Sequence, residues 1–338
     1  MKRSEFTQII LHHHMPTEPQ QTRATAFAPI NIALSKYWGK RNSELNLPVT
    51  SSLSITIPTK GSKTTLVWTS QQTQDSIVFN GEEIDRHSVL AQGITQFFDL
   101  FRPTHRWHLH TIIETNIALA AGFASSASGF AALALAMNDL FAWRLELSTL
   151  SMLARLGSGS ATRSLWTGFV EWHCGQRDDG MDSYAAPLLE HWPEFCVGLL
   201  DIRTTEKPIS SRKAMQDTMN TTSLYSCWPE KATHDIRLLK HAIDQKDFSL
   251  LGSVAEQNAL TMHAIMLSSW PPICYFLPDT IAAIQRVWAL RQTGLDLYFT
   301  QDAGPNLVLL FLKKDANTVK QSFPNVEIVS IFDDRIKP

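Results

Sequence analysis

Cysteine is scarce in this chain, with four among 338 residues. Cys174, Cys196, Cys227 and Cys274 stand far apart with no Cys-x-x-Cys pair, which excludes a thiolate metal cage, a dithiol redox couple and a disulfide-stapled scaffold. A reducing cytoplasm is the expected setting. Net charge is nearly absent as well, since 30 Lys and Arg against 32 Asp and Glu leave -2. The field that gathers proteins onto nucleic acid or anionic membranes is therefore missing, and the partner expected is a small molecule. The N-terminus has no apolar run longer than Ile9-Ile10-Leu11, too little for an export signal. Charge is also missing from Ile117 to Met137, a stretch long enough for a membrane helix. Its flanks, Glu114 and Asn138-Asp139, are not basic anchors, and it contains Gly122, Gly129, Ser125, Ser126 and Ser128. It reads as a small-residue loop entering a buried helix, not as a membrane span.

What is present is apolar material, 44% hydrophobic against 18% charged, enough for one large core or two smaller ones. Residues 1–23, with His12-His13-His14, are polar and are expected to form a disordered tail. Ser52-Leu53-Ser54-Ile55-Thr56-Ile57 alternates as a half-buried strand should, and Thr64 to Trp68, Ser76 to Phe79 and Trp107 to Ile113 suggest further strands. Ser88 to Phe101 has helical spacing. Ser148 suits the N-cap of a helix through Leu156, with Gly157 in the left-handed position past its end. Phe169 to Trp172 and Phe195 to Ile202 read as strands. Helices are expected at Ala232 to Ile243, Leu251 to Met266 and Thr280 to Gln292, and closing strands at Asp296 to Thr300, Leu307 to Leu312 and Val326 to Phe332. A domain boundary is placed near residue 195.

Four segments carry possible chemistry. Ala120 to Gly129 puts small residues where a strand hands over to a helix, and free helix-start amides attract phosphate. It is neither a Walker A loop nor a dinucleotide fingerprint, and taken alone it fits a tightly packed capped helix equally well. Gly157 to Ser164 offers hydroxyls, amides and the bidentate fork of Arg163, suited to phosphate or carboxylate; an ordinary polar loop is the alternative. Lys36-Tyr37-Trp38-Gly39-Lys40-Arg41 packs three cations and two aromatics together, either a site or a solvated charge cluster, with a bend expected at Gly39. Asp302 ends a strand beside Ala303-Gly304-Pro305-Asn306, where aspartate also serves as a plain turn residue.

Taken together, these segments resemble the mevalonate diphosphate decarboxylases, a branch of the GHMP kinase superfamily. The resemblance rests on Ala28-Pro29-Ile30-Asn31-Ile32-Ala33 running into Lys36 to Arg41, Leu47-Pro48 with Ser51 to Ser54, and Ala121 to Ala127. It continues through Gly157 to Ser164 with Gly168 to Trp172, Ser210-Ser211-Arg212 with Met215, His263-Ala264, Trp270 to Ile273, and Asp302 to Asn306. What it implies is an α+β GHMP kinase fold, with an N-terminal ribosomal protein S5 domain 2-like domain at 24–195 and a C-terminal ferredoxin-like α/β sandwich at 196–338. The implied reaction uses ATP and Mg2+ to phosphorylate the 3-hydroxyl of mevalonate 5-diphosphate, then releases phosphate and carbon dioxide to give isopentenyl diphosphate. Carried over by position, Asp302, Lys36 and Arg163 are the catalytic residues, with Arg163 on the substrate carboxylate and helping to hold Asp302. Tyr37, Lys40, Ser158, Ser160, Arg212 and Met215 line the rest of the substrate site, while Gly122, Ser125, Ser126, Ser128 and Ser211 face the nucleotide. The resemblance leaves the metal ligands unassigned and implies a homodimer. Asn42 and Thr50 depart from the family pattern next to the diphosphate-gripping segment, which leaves a phosphomevalonate decarboxylase, a mevalonate 3-kinase or a catalytically silent nucleotide-binding protein as alternatives.

Overall fold

The computed structural model describes residues 1–12, 18–102, 107–117, 125–202 and 209–332. The N-terminal half runs α1 (Arg3–Leu11), β1 (Arg23–Ser35), β2 (Lys40–Asn42), β3 (Leu47–Pro48), β4 (Ser52–Trp68), β5 (Ser76–Phe79), β6 (Glu82–Glu83), α2 (Val89–Asp99), β7 (Leu109–Thr115), α3 (Ser125–Leu140), α4 (Leu147–Gly157), the 3-10 turn Gly159–Arg163, β8 (Phe169–Trp172) and β9 (Ala185–Pro187). The C-terminal half runs β10 (Phe195–Leu200), α5 (Ser211–Thr221), the 3-10 turn Ser223–Cys227, α6 (Trp228–Gln245), α7 (Phe248–Leu267), α8 (Pro278–Gln292), β11 (Tyr298–Thr300), β12 (Leu307–Leu312), the 3-10 turn Lys313–Asp315, α9 (Ala316–Ser322) and β13 (Glu327–Ser330).

Strand β4 organises the first half. The alternating segment at Ser52 and the one at Thr64 are a single strand, antiparallel to β1 along its length, to β7 from Ser62 to Trp68 and to β8 from Ser52 to Ile55. The sheet order is β6-β5-β7-β4-β8-β9, with β1 also on β4. The register slips between Pro29 and Ile30, and there the strands close so tightly that a Cβ on Gly61 would lie 2.1 Å from the Ala28 carbonyl oxygen. Only glycine fits at that bulge. The second half is built on an antiparallel sheet in the order β11-β12-β10-β13. Its apolar face does not close on its own. Ile30, Ile32 and Leu34 of β1 and Leu53, Ile55 and Ile57 of β4 share one core with Leu239 and Ile243 of α6, Leu251 of α7, and Val197 and Leu310 of the second sheet. The two halves are thus joined by continuous hydrophobic burial, which fixes the end of β1 against α7.

Two expectations change and one holds. Ser148 lies inside α4, whose N-cap is Glu146, and Gly157 is the last residue of the helix. Gly157 is not among the positive-φ glycines; it is small because a Cβ would sit 2.2 Å from the Phe130 ring. From Ser125 on, the uncharged stretch forms the expected buried helix, α3, with Ala127, Ala131, Ala132, Ala134 and Ala136 buried, and among the described residues no helix is long and apolar enough to cross a membrane. The N-terminal tail is the largest departure. Residues 13–17 lie outside the described residues, but residues 3–11 form a helix whose Phe6 and Leu11 are fully buried in the first core. Glu5 accepts from the Lys2 amide at 2.9 Å, Thr7 Oγ1 donates to the Leu100 carbonyl at 2.8 Å, and the Arg155 guanidinium lies 5.0 Å from the Phe6 ring centroid. Phe6, Ile10 and Leu11 supply an apolar face that a polar reading of the segment overlooked. Phe6→Ala should therefore lower stability by about 3 kcal/mol, read as a reduced urea midpoint; an unchanged midpoint would mean that α1 does not pack.

Candidate active site

The end of β1 delivers Lys36 into the seam between the halves. Its ammonium is buried and donates to the Ala33 carbonyl at 2.8 Å, to Thr300 Oγ1 at 2.7 Å and to Asp302 Oδ1 at 2.7 Å. All three of its protons are thereby placed. Burial pulls the Lys36 pKa below its ordinary value, while the charge and hydrogen bond of Asp302 oppose that fall. The backbone is fixed too: the Lys36 amide donates to Asn258 Oδ1 of α7 at 2.8 Å, and Asn258 Nδ2 donates to Asp235 Oδ2 at 2.8 Å.

Asp302 follows β11, as expected, and keeps its side chain 29% exposed where Lys36 is 2% exposed. Its carbonyl lies 3.2 Å from His263 Nε2 of α7. A carbonyl only accepts, so this nitrogen carries the proton, and burial lowers the His263 pKa to about 4, with the Lys36 charge adding to the effect. His263 therefore holds the Asp302 loop as a neutral donor. Arg163 is fully surrounded: Nε donates to Ser54 Oγ at 3.1 Å, Nη1 to Ser52 Oγ and Nη2 to Asn31 Oδ1 at 3.3 Å. These three bonds fix the guanidinium, and Arg163 and Asp302 also interact through charge. Burial brings the Arg163 pKa to about 10, with Asp302 pulling it back up.

The remaining predicted residues extend away from this pair. Tyr37 packs edge-on to Trp172 at 4.8 Å, its hydroxyl is buried without a hydrogen-bond partner among the described residues, and burial raises its pKa. A Cβ on Gly159 would sit 2.7 Å from the Tyr37 ring, so the 3-10 turn lies directly on it. Ser158 Oγ is 3.2 Å from Ser160 Oγ and 3.4 Å from Ser126 Oγ at the start of α3. Gly39 bends the chain at φ 117, with the Tyr225 hydroxyl where a Cβ would stand, and sends Lys40 into a cavity of about 400 Å3 lined also by Arg212, Met215 and Asn46. Ser211 opens α5 beside Arg212. Gly122 and the Ser125 side chain lie outside the described residues. Ser128, expected to face the nucleotide, is instead fully buried, 2.9 Å from Ser62 Oγ; helical spacing places it with Ala131 and Ala132 on the packed face. Asn42 spends its amide oxygen on the Leu45 amide at 2.9 Å.

Sequence reasoning missed Asn258, Asn46 and the roles of Asn31, Ser52, Ser54 and Thr300. Asn31, Ser52 and Ser54 lie within recognised blocks, so a search for hydroxyl and amide partners of Arg163 could have found them. The buried, unpartnered Tyr37 hydroxyl and the cations around it fit an anionic ligand. Among the described residues no three His, Cys, Asp or Glu side chains converge on a metal position.

The chain as a whole is similar to proteins of one family. A family profile described as diphosphomevalonate decarboxylase-like N-terminal domain matches residues 28–185, and one described as mevalonate 5-diphosphate decarboxylase C-terminal domain matches 199–333. The diphosphomevalonate decarboxylase of Aspergillus fumigatus is 36% identical over 321 residues, 88% of this chain and 78% of the relative. That of Bos taurus is 34% identical over 334 residues, covering 92% and 83%. The solved mevalonate diphosphate decarboxylase of Staphylococcus aureus superposes with a TM-score of 0.86 at 35% identity, covering 92% of this chain and 96% of that one. The chain called MDDEF, solved with MVAPP, AMPPCP and magnesium, does so with 0.85 at 35% identity, covering 91% and 96%.

Lys40 sits between Arg212 and Arg3, and burial together with those two charges lowers its pKa to about 8. In the free protein it loses its proton as pH rises through that value, and an anion bound there favours the protonated form. Affinity for inorganic pyrophosphate should accordingly weaken as pH is raised from 7 to 9, with proton uptake on binding, and Lys40→Arg should flatten the profile. Calorimetry in buffers of different ionisation heat measures both quantities.

Proposed function

This chain belongs to the mevalonate diphosphate decarboxylases, and from that premise we propose how its residues divide the work. The enzyme uses ATP and Mg2+ to convert mevalonate 5-diphosphate to isopentenyl diphosphate, phosphate and carbon dioxide. The observation that carries the assignment of roles is the Lys36–Asp302 contact at 2.7 Å, which leaves a partly open carboxylate at the edge of a cation-lined seam.

Asp302 accepts the proton of the substrate's tertiary 3-hydroxyl as that oxygen attacks the γ-phosphorus of ATP. Lys36 orients the receiving oxygen and counters the charge that gathers there. Arg163, with its fork already fixed by Ser52, Ser54 and Asn31, presents its guanidinium to the substrate carboxylate. Tyr37, Lys40, Ser158, Ser160 and Arg212 hold the diphosphate, with Met215 against the carbon chain. Ser126 at the start of α3, where helix amides lack partners, and Ser211 at the start of α5 take the nucleotide phosphates, the role that the family resemblance also gives to Gly122 and Ser125. When bound with the nucleotide, Mg2+ would supply further neutralisation of the charge on the transferring group. In the second stage the C3–O bond breaks towards the departing phosphate, and the electrons of the carboxylate's C–C bond form the alkene as carbon dioxide leaves. Lys36 and Arg163 stabilise the phosphate as it departs.

The division near residue 195 belongs to the same reading and is supported by a first sheet ending at Pro187 and a second beginning at Phe195. A cytoplasmic setting is supported by four cysteines that stand free of disulfides. A homodimer is the assembly carried over from the family.

Carbon dioxide release with Mg-ATP tests the reading directly. Mevalonate 5-diphosphate should be turned over in preference to mevalonate 5-phosphate and mevalonate, and Asp302→Asn should lower kcat by about a thousandfold. Preference for the monophosphate would reassign the substrate, and ATP turnover without carbon dioxide would make the protein a kinase.

A further inference from the structure

The cavity that holds Lys40 and Arg212 has a third cation that no recognised block supplies. Arg3, the first residue of α1, lines the same wall. Its Nε donates to the Glu44 carbonyl at 2.6 Å and its backbone amide donates to Glu44 Oε1 at 3.2 Å. Neither Nη group has a protein hydrogen-bond partner among the described residues. Among the described residues Lys40 Nζ is bonded to Asn46 Oδ1 alone, at 2.6 Å. Three cations therefore converge on one cavity of about 400 Å3, with the Glu44 carboxylate already bonded to a backbone amide.

Such convergence is unfavourable in the empty protein. Burial and the Arg212 charge disfavour the charged form of Arg3, against the pull of Glu44, and Arg212 and Arg3 both add to the effect of burial on Lys40. A compact anion with several acceptor oxygens relieves the repulsion and answers the open donors. Arg3 is also held in place rather than trailing in solvent. Phe6 and Leu11 are fully buried, and Thr7 is bonded to Leu100. The position along the cavity is informative as well. The described lining of the cavity holds Arg3 with Lys40, Asn46, Arg212 and Met215 but not Arg163 or Asp302, so Arg3 belongs to the part of the site away from the reacting pair.

We infer that Arg3 is a specificity-determining residue that contacts the terminal phosphate of the diphosphate, so that α1 completes the substrate site. This rests on the substrate reading given above. It makes the helix before β1 part of the binding machinery, with discrimination between di- and monophosphate exerted at a residue far from the reacting carbon.

The test compares wild type, Arg3→Ala, Arg3→Lys and Glu44→Gln in steady-state turnover, thermal melting and titration with inorganic pyrophosphate. Arg3→Ala should raise the KM for mevalonate 5-diphosphate about tenfold, leave kcat within about twofold, and weaken pyrophosphate binding by a similar factor. The KM for mevalonate 5-phosphate should move by less than about threefold, and Arg3→Lys should recover part of the loss. Glu44→Gln, which disturbs the anchor without removing the cation, should leave the KM unchanged or lower it. An unchanged KM in Arg3→Ala would overturn the inference, as would an equal rise in Glu44→Gln, or equal rises for both substrates with a lowered melting midpoint. If wild type releases no carbon dioxide from the diphosphate, the functional reading fails, yet the pyrophosphate titration still decides the role of Arg3.

Discussion

One buried cation meeting one half-open carboxylate governs this structure. Lys36 comes from the end of β1 in the first half and Asp302 from the loop after β11 in the second, and they touch at 2.7 Å. A lysine this deeply buried is tolerated only with its protons answered. The answers come from both halves: the Ala33 carbonyl from one, Thr300 and Asp302 from the other. Forming the reactive carboxylate's surroundings and closing the two halves are therefore one event. The apolar core shared by β1, β4, α6, α7 and the second sheet provides the bulk of the association energy, and the ion pair sets its register.

The rest of the site is arranged outward from that contact by increasing exposure. Arg163 is fixed by two serines and an asparagine. Tyr37 is half-buried, its enclosed hydroxyl without a partner among the described residues, and Lys40, Arg212 and Arg3 line an open cavity. Rigidity is greatest where bonds are made and broken, and access is greatest where a charged substrate must enter. His263 and Asn258, both on α7, hold the Asp302 carbonyl and the Lys36 amide, so a single helix supports both members of the pair from behind.

Much of this was legible in the sequence, for identifiable reasons. Strands such as Ser76–Phe79 and Leu307–Leu312 and the long helices α6, α7 and α8 carry strong local patterns, and the residues around Lys36, Arg163 and Asp302 sit in distinctive blocks. The fusion of two expected strands into β4 was hidden because a register slip at Gly61 breaks the alternation without ending the strand. Helix α1 was hidden because its polar residues outnumber its few buried anchors, and Phe6 reveals its role only once Arg155 and Leu100 are brought to it. Ser128 was misread because a small residue at a phosphate-loop helix serves the ligand or the core according to its helical phase. Asn258 gave no local signal, since it acts on a residue 222 positions away.

The central claim is that the Lys36–Asp302 pair fastens the halves and is anchored on the lysine side. A double-mutant cycle with Lys36→Met, Asp302→Ala and the combined variant, followed by urea unfolding, tests it most directly. Because Lys36 is 2% exposed and Asp302 29% exposed, removing the carboxylate strands a buried charge and should cost about 3 to 5 kcal/mol. Removing the lysine leaves a carboxylate that water can reach, a smaller loss, and the double variant should be more stable than Asp302→Ala alone. Additive effects, or a greater loss in Lys36→Met than in Asp302→Ala, would contradict the claim.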